Sequence, residues 1–210
     1  SGAIWDINNI GNYSFASGNR PIASGNNSTA MGQLTTASGN FSTSMGGNTT
    51  ASNDYATAMG YASLASGRAS TAMGFSTTSK AVGSFSTGLY NDVSDNPSPS
   101  GSFPDDRIFQ IGNGNSVATR SNALTVLKNG NTGIGNLTPA FPLSFATAFG
   151  DKISLWSNST NSYGFGIQSG LLQIHTDIAA ADIVLGYGSS NSFTERARII
   201  NNGEIGMEVT

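Results

Sequence analysis

The chain lacks cysteine and long hydrophobic runs, and it has few charged residues. Without cysteine, its 210 residues form no disulfide and no thiolate metal site, a composition typical of bacterial surface and phage proteins. Only 10% of the residues are charged, and nine Lys and Arg are scattered among twelve acids, so the sequence carries no basic patch for nucleic acid. No apolar stretch approaches the ~18 residues of a membrane-spanning helix. We therefore expect no nucleic-acid partner and no membrane insertion.

The chain begins at Ser1-Gly2, without an initiator Met or a visible signal peptide. This start is typical of a cloning scar, so we expect a fragment of a longer protein, with any export signal or membrane anchor outside it. A net charge of −3, combined with dense Gly, Ser, Thr and Asn, favours a repetitive β structure over disorder.

The chain does contain a seven-residue repeat of alternating type, so the true repeating unit is fourteen residues long. Strict periodicity over more than sixty residues predicts a β-solenoid in which two half-coils make one turn. We expect a left-handed backbone conformation at the turn position of each half-coil, since glycine and asparagine adopt it most easily. These turn residues are Gly25, Gly32, Gly39, Gly46, Asn53, Gly60, Gly67 and Gly74.

Side chains of each half-coil alternate between the two faces of a strand. One face carries small residues such as Ser28 and Ala30, so we predict that it points inward and lets two sheets approach closely. The opposite face then carries threonines and a methionine ladder. This ladder consists of Met31, Met45, Met59 and Met73. Exposing it to water is costly, and a thin solenoid buries little by itself, so we expect the ladder to be buried in an interface with another copy of the chain. The reverse parity, with Met and Thr inside, is the alternative.

The composition divides the chain into five regions. They are a short leading segment (1–10), β-roll repeats (11–88), a connector loop and strand (89–121), a neck-like Asn-Gly hairpin motif (122–145) and a C-terminal β module (146–210). The regular register is expected to break after Gly74, because the next glycines are Gly83 and Gly88.

Turn residues and β-branched runs predict the elements beyond the repeats. Residues 96–106 read as a loop, and strands are expected at 107–112 and 123–127. Asn129-Gly130 and Asn202-Gly203 each predict a hairpin within a similar sequence pattern. For residues 178–185 a strand is favoured over a short helix.

The repeats resemble a known family. The segments 27–32, 55–60 and 69–74 are similar to the head repeat of trimeric autotransporter adhesins, which typically reads Asn-Ser-Val-Ala-Ile-Gly in fourteen-residue coils. The resemblance covers residues 11–88, with Thr in place of Val and Met in place of Ile. It implies a left-handed parallel β-roll that assembles as an intertwined homotrimer. No coiled-coil stalk or anchor barrel accompanies it, so that family's secretion mode is not supported.

Residues 122–135, continued by Thr138-Pro139 and Pro142-Leu143, resemble segments of phage-type tail fibres, where such segments join β-rich trimeric modules. This second resemblance implies a fibre, without indicating whether a phage virion, a bacterial cell surface or an injection machine carries it. In each case we expect an extracellular location.

Few residues suggest site chemistry. His175 is the only histidine. It could be a general base with Asp177, or it could bind an ion at a trimer axis together with Gln173 and Asp177. A hydrogen-bonded strand residue without a catalytic or binding role is the plainer interpretation. The acid pairs Asp92/Asp95 and Asp105/Asp106 offer calcium ligands, but solvated loop acids are the favoured interpretation. We expect no cofactor, no metal site and no catalytic residues.

Aromatic residues of the last module are the best candidates for receptor contact, since exposed aromatic rings stack on sugars; core packing is the alternative. The candidates are Trp156, Tyr163, Tyr187 and Phe193, with Phe165 considered beside them.

The sequence favours a non-enzymatic trimeric fibre or adhesin segment that presents its C-terminal module to a cell-surface receptor, a glycan among the candidates. One alternative is an ice-binding solenoid with the threonine rows 29/43/57/71 and 36/50/78, the second broken by Leu64. Another is a polysaccharide-degrading tail spike. Its candidate carboxylates would be Asp151, Asp177, Asp182 and Glu195.

Overall fold

A computed structural model describes residues 9–158 and 162–207. These residues form an all-β protein in two compact units, Ser1–Ala146 and Thr147–Thr210, with no α-helix among them. We find, within the same residues, no helix with the length and apolar character needed to cross a membrane.

The first unit contains fourteen strands in chain order. They are β1 (Phe15–Asn19), β2 (Thr29–Gln33), β3 (Thr36–Ala37), β4 (Thr43–Gly47), β5 (Thr50–Ala51), β6 (Thr57–Tyr61), β7 (Leu64–Ala65), β8 (Thr71–Phe75), β9 (Thr78–Ser79), β10 (Phe85–Leu89), β11 (Arg107–Asn113), β12 (Asn122–Leu127), β13 (Thr132–Ile134) and β14 (Leu143–Phe145).

The repeats form a β-solenoid, which confirms the predicted fold class. Five-residue and two-residue strands alternate along the chain, and each pairs in parallel with its equivalent fourteen residues later, as Thr29 pairs with Thr43 and Thr36 with Thr50. The long strands build one side of a ten-stranded sheet in the order β1-β2-β4-β6-β8-β10-β11-β12-β13-β14. The short strands build a separate sheet, β3-β5-β7-β9.

The solenoid interior contains only small side chains, as the predicted parity requires. Ala30, Ala37, Ser44, Thr49 and their equivalents are completely buried between the two sheets. In residues 11–88, all of which the structure describes, no large apolar side chain is buried. The solenoid therefore gains little from its own core, and its Met, Phe, Tyr and Leu side chains all face outward.

The turns correct one expectation. Gly25 and Gly39 do not adopt a left-handed conformation; that conformation lies two residues further along, where Asn27 and Phe41 have φ of 54° and 57°. Glycine is needed for a different reason, namely the close approach of successive coils. A Cβ on Gly25 would lie 2.0 Å from the carbonyl oxygen of Gly39, which is far inside van der Waals contact.

The glycines of the long strands combine that close approach with an unusual backbone. Gly32 has φ +119°, and a Cβ there would lie 2.0 Å from Gly46 O. These glycines lie within the strand rather than at the turn, and the left-handed residue again follows two positions later, at Leu34 with φ 55°.

The register does not break after Gly74, so that prediction was wrong. Gly74 pairs with Gly88, fourteen residues later, and Gly88 pairs with Gly112 in β11. Gly83 is not a displaced repeat glycine; it occupies the left-handed position with φ 67°. Only the next coil is irregular, because the loop between β10 and β11 is longer than the usual turn.

Beyond the coils, β11 and β12 pair antiparallel, and β12 and β13 form the hairpin predicted at Asn129-Gly130. Both expected strands are present, at Arg107–Asn113 and Asn122–Leu127. β14 then adds in parallel to β13.

The second unit contains two three-stranded antiparallel sheets. The first sheet consists of β15 (Gly150–Ser157), β16 (Ser162–Gln168) and β17 (Leu171–His175), and the second of β18 (Ile183–Ser189), β19 (Ser192–Ile199) and β20 (Ile205–Met207). The second Asn-Gly hairpin joins β19 and β20, as predicted. The strand expected at 178–185 begins only at Ile183, because residues 177–180 form a bend and turn.

Candidate assembly face and receptor-binding surface

The outward face of the ten-stranded sheet is a continuous apolar surface, which we call the assembly face. Its central row is the methionine ladder, with Met31, Met45, Met59 and Met73 in direct register on neighbouring strands. Met31 is 40% exposed and Met73 38% exposed, and the two between them are half-buried by their neighbours. Serines take the equivalent place on the short half-coils, as at Ser38, so the methionines lie on one side only.

Two further rows flank the methionines on the assembly face. On one side lie the threonines 29, 43, 57 and 71, in register and half-buried. On the other side, Tyr61 and Phe75 stack with ring centroids 5.0 Å apart, and Leu89 extends their row. The predicted short-sheet threonine row is also in register and is interrupted at Leu64.

The methionine row continues beyond the coils without a change of face. Met73 pairs with Thr87, Thr87 with Ile111, and Ile111 with Leu124 across the antiparallel step. Ile134 and Phe145 then complete the row on the last two strands. One largely apolar stripe thus runs from β2 to β14 of the ten-stranded sheet, with Thr87 in β10 as a polar member and Ser17 at the equivalent place in β1.

A buried polar network closes the end of the solenoid interior. The Asn91 side chain replaces the missing next strand of the short sheet: its Oδ1 accepts from Thr78 N at 2.7 Å, and its Nδ2 donates to Thr78 O at 2.9 Å. Asn122 Nδ2 donates to Gln110 Oε1 at 2.8 Å, and Asn122 Oδ1 accepts from Asp92 N. Because these amides are buried and paired, they stop the short sheet without leaving open backbone groups.

An ion-pair cluster holds the long loop that follows. The buried Arg107 guanidinium lies 2.5 Å from Asp92 Oδ1, and Lys80 Nζ lies 3.0 Å from Asp95 Oδ1. Burial alone would raise the pKa of Asp92, but hydrogen bonds from Ser94 and Arg107 outweigh it and lower that pKa. The candidate calcium ligands Asp92 and Asp95 are therefore already paired with cations.

The second candidate calcium pair also has protein partners. Asp106 Oδ2 accepts from Phe103 N at 2.7 Å, and Asp105 Oδ1 lies 3.4 Å from Asn129 Nδ2. Nowhere in residues 9–158 and 162–207 do three or more His, Asp or Glu side chains come together as a metal site.

The first C-terminal sheet has one apolar and one polar face. Trp156 pairs with Tyr163, and their rings lie 5.4 Å apart on the apolar face. Ile153, Phe165 and Ile174 share this face, since they pair directly across the three strands. Much of the face is open to solvent, with Leu172 75% exposed. Two of the four predicted receptor contacts are thus brought together.

The other two receptor candidates lie on the second sheet and point in opposite directions. Tyr187 pairs with Thr194 and Gly188 with Phe193, which places the two aromatic rings on opposite faces. Tyr187 is exposed and has the Arg196 guanidinium 5.2 Å from its ring centroid, whereas Phe193 reaches over Gly186. Tyr187 is the more accessible of the two.

His175 does not pair with Asp177, contrary to the general-base interpretation. Its Nε2 lies 3.4 Å from Asp151 Oδ1, and its Nδ1 is 3.1 Å from Ser162 O. β17 ends at His175, so Asp177 leaves the strand face that Gln173 and His175 share. A hydrogen bond with Asp177 instead raises the pKa of Tyr163. The plainer interpretation, a bonded strand residue, describes His175 better.

Two of the four carboxylates proposed for a tail spike, Asp182 and Glu195, are engaged in ion pairs. Arg198 bonds both Asp182 and Glu195, and its hydrogen bond to Glu195 lowers the pKa of that carboxyl. A carboxyl held ionised in this way is a poor general acid.

Sequence reasoning missed two sets of residues. Asn91 lies outside the repeat, and no local pattern identifies it as a cap. The left-handed turn positions, in contrast, recur every seven residues, and every second one forms a column that includes exposed Tyr13, Phe41 and Tyr55. A count of residue types two places after each repeat glycine would have found this aromatic column.

Comparison with known proteins supports the coil assignment. A family model described as the YadA head domain repeat matches residues 23–49, 41–63 and 51–77. No curated protein and no solved structure matches the chain. The segment similar to tail fibres lies outside the matched residues, so that second resemblance stays a prediction. The coils of residues 23–77 are therefore similar to YadA head repeats, which are found in trimeric autotransporter adhesins, and this similarity suggests an adhesin-type fibre role.

Proposed function

We propose that this chain is a non-enzymatic segment of an extracellular fibre, that it assembles as a homotrimer, and that its C-terminal unit attaches the fibre to a cell-surface receptor. The observation that carries the proposal is the distribution of apolar side chains. In the coils the solenoid interior contains only small side chains, whereas the methionines and the apolar residues in register with them form a stripe on the outside of the ten-stranded sheet. Contiguous exposed apolar surface of this kind marks an interaction site.

A second copy of the chain is the occupant that this stripe supports best. The stripe extends from β2 to β14 of the ten-stranded sheet, through coils and hairpin alike, so a partner must be nearly as long as the sheet itself. Three parallel copies satisfy that condition, and YadA-type head repeats assemble in this way. We also propose that the coils of the roll wind in the left-handed sense.

Attachment is assigned to the C-terminal unit, with Trp156, Tyr163, Tyr187 and Phe193 as receptor contacts. Trp156 and Tyr187 are the accessible members, because Tyr163 is half-buried and Phe193 covers a glycine. Three identical copies on one fibre would raise the overall affinity well above that of a single site. The carrier is a bacterial surface, a phage virion or an injection machine.

The assembly part is tested with a charge-inserting pair of variants. In Met45→Glu/Met59→Glu, carboxylates enter the centre of the stripe, and we expect the trimer to dissociate. The matched control is Ser38→Glu/Ser52→Glu, which places the same charges at the equivalent positions of the short half-coils. Sedimentation velocity distinguishes the two. If both double variants keep the wild-type mass, the assembly face is wrongly assigned.

The attachment part is tested by binding of the full chain to a panel of bacterial and eukaryotic cells. Trp156→Ala/Tyr187→Ala is expected to lose binding, whereas Phe149→Ser, which changes another exposed aromatic of the same unit, is expected to retain it. Equal binding by all three proteins would remove the C-terminal unit as the attachment site. Thermal hysteresis at high concentration would instead favour the ice-binding alternative.

A further inference from the structure

The turns that lead into the long strands form a second surface, which we call the turn edge. It consists of Asn12, Tyr13, Asn26, Asn27, Asn40, Phe41, Asp54 and Tyr55. Each coil contributes two neighbouring residues, and the second of each pair has a left-handed backbone, with φ from 54° to 60°. The turn edge is distinct from the assembly face and from the C-terminal unit.

The aromatic residues of the turn edge are not required by the fold. A left-handed backbone costs a side chain with a Cβ about 1–2 kcal/mol, and asparagine and glycine tolerate it best. The same column contains Asn27 and Gly83 at this conformation, so the coil accepts the favourable residues. Tyr13, Phe41 and Tyr55 therefore occupy positions where the backbone favours something smaller. Strained residues of this kind point to a binding role when they are also exposed.

These rings are strongly exposed and form a regular platform. Tyr13 is 91% exposed, Tyr55 59% and Phe41 52%. The Phe41 and Tyr55 rings stack in parallel, with centroids 5.2 Å apart and an interplanar angle of 4°. Asn27 precedes this pair in the column and Ala69 follows it, so neither outer ring face meets another aromatic ring of the column.

A row of amides runs beside the rings. Asn12 N donates to Asn26 Oδ1 at 3.2 Å, Asn26 N to Asn40 Oδ1 at 3.1 Å, and Asn40 N to Asp54 Oδ1 at 2.9 Å. These bonds fix the side chains of Asn26, Asn40 and Asp54, and Asn40 Nδ2 also donates to Asp54 Oδ1 at 3.1 Å. Asn26 Nδ2 donates to no group in the described part of the chain, so it is an exposed donor already in place, and Asn12 presents a further exposed amide at the end of the row.

The charged residues in and beside the turn edge limit the class of ligand that it can bind. Asp54 is the one charged residue of the turn edge, and the exposed Arg68 continues its row on the next coil, so the edge has no excess of positive charge for sulfated or sialylated chains. Apolar ring faces beside neutral amide donors match a sugar, which has a face of C–H groups and a rim of hydroxyls. A regular row of such contacts suits a polymer rather than a single sugar.

We propose that the turn edge binds a neutral polysaccharide, with sugar rings against Phe41 and Tyr55 and sugar hydroxyls on the Asn12, Asn26 and Asp54 side chains. This site is additional to receptor contact by the C-terminal unit and does not depend on it. It gives the shaft of the fibre a lateral affinity for a glycan matrix.

The variant Phe41→Asn/Tyr55→Asn tests the site without endangering the fold. Because asparagine suits the left-handed backbone, the variant should unfold at a temperature equal to or above that of the wild type. We measure migration in native affinity gels that contain dextran, mannan or a soluble β-glucan. The wild type is expected to be retarded by at least one polymer, and the variant to lose at least about tenfold in affinity.

Leu34→Asn is the matched control, because Leu34 is an exposed left-handed residue of the other turn column. It should be retarded like the wild type. The site is wrong if no polymer retards the wild type, or if the double variant is retarded equally. A double variant with an altered solution mass would identify the turn edge as a contact between copies, which also overturns the proposal. If only Trp156→Ala/Tyr187→Ala lost retardation, the glycan would bind to the C-terminal unit instead of the turn edge. An unchanged solution mass of Phe41→Asn/Tyr55→Asn would show that this variant does not disturb the proposed trimer.

Discussion

Removing the side chain of Asn91 should destabilise the solenoid more than any other single amide change in the loop region. Asn91→Ala leaves the N–H and the C=O of Thr78 without partners at the end of the short sheet. Each unpaired backbone group costs about 1–3 kcal/mol, and partial entry of water reduces the sum. We therefore expect a loss of about 3 kcal/mol in the free energy of unfolding.

The control is Asn113→Ala, which removes an exposed amide whose Oδ1 accepts from Ser121 Oγ at 2.7 Å. It should cost less than about 0.5 kcal/mol. Asn91→Asp refines the test, because it retains the acceptor for Thr78 N but removes the donor to Thr78 O. A buried carboxylate prefers its neutral form, so this variant should be less destabilised at acidic than at neutral pH.

Urea unfolding followed by circular dichroism gives the difference in stability, and hydrogen exchange of the Thr78 amide localises it. The amide should exchange faster in Asn91→Ala while amides in the first coils remain protected, since repeat proteins open locally. If Asn91→Ala matches Asn113→Ala in both measurements, the amide does not cap the sheet.

Three further predictions concern the coils, the loop and the receptor surface. Gly32→Ala should cost several kcal/mol in urea unfolding, because its Cβ would lie 2.0 Å from a carbonyl oxygen. Gly83→Ala has open space around its Cβ and should cost only about 1 kcal/mol, for its left-handed backbone. Equal losses in the two variants would refute the close-approach argument. Because its pKa is lowered in the folded state, ionised Asp92 stabilises the fold at pH values above its unfolded-state pKa of about 4, and this stabilisation is lost as the pH falls. Asp92→Asn should therefore show a smaller loss of stability at acidic pH than the wild type. An equal loss in both proteins would contradict this. In the C-terminal unit, Tyr187→Ser should reduce cell attachment without changing the solution mass, and intact attachment would exclude Tyr187 as a receptor contact.

Much of the solenoid is predictable because its period is a physical constraint. A strict fourteen-residue repeat forces equivalent residues into register, and the alternation of small and larger residues then determines which face is buried. The methionine ladder and the inward Ala and Ser rows follow from those two facts alone. The Asn-Gly hairpins are equally local, since a tight turn selects its own residues.

The errors have equally specific causes. Periodicity shows that a turn recurs but not which residues of the half-coil have positive φ. The expectation is correct for Gly32, Gly46, Gly60 and Gly74, with φ from +100° to +132°, but at Gly25 and Gly39 the left-handed residue is two positions later, at Asn27 and Phe41. In the repeats glycine is required by the neighbouring coil, a contact between residues fourteen positions apart. The less favoured alternative for His175, a pair with Asp177, extended strand alternation beyond the end of β17, whereas its neighbour Asp151 comes from β15, which is two strands away and bulged.

Sites that depend on long-range packing had no signal in the sequence. The Asn91 cap joins residues from three different segments, and each amide alone is unremarkable among the many asparagines of the chain. The sequence also did not predict that the apolar face of the first C-terminal sheet is exposed. Apolar residues and glycines alternate from Tyr163 to Ile167 as they would in a buried strand.

The solution mass of the intact chain, measured by light scattering, tests the central claim most directly. The chain mass is 21.5 kDa, and the account predicts a particle of about three times that mass that is stable on dilution. A stable monomer would contradict it, because the methionine ladder and its continuation through Ile111 and Leu124 would then be exposed to water with no partner to cover them.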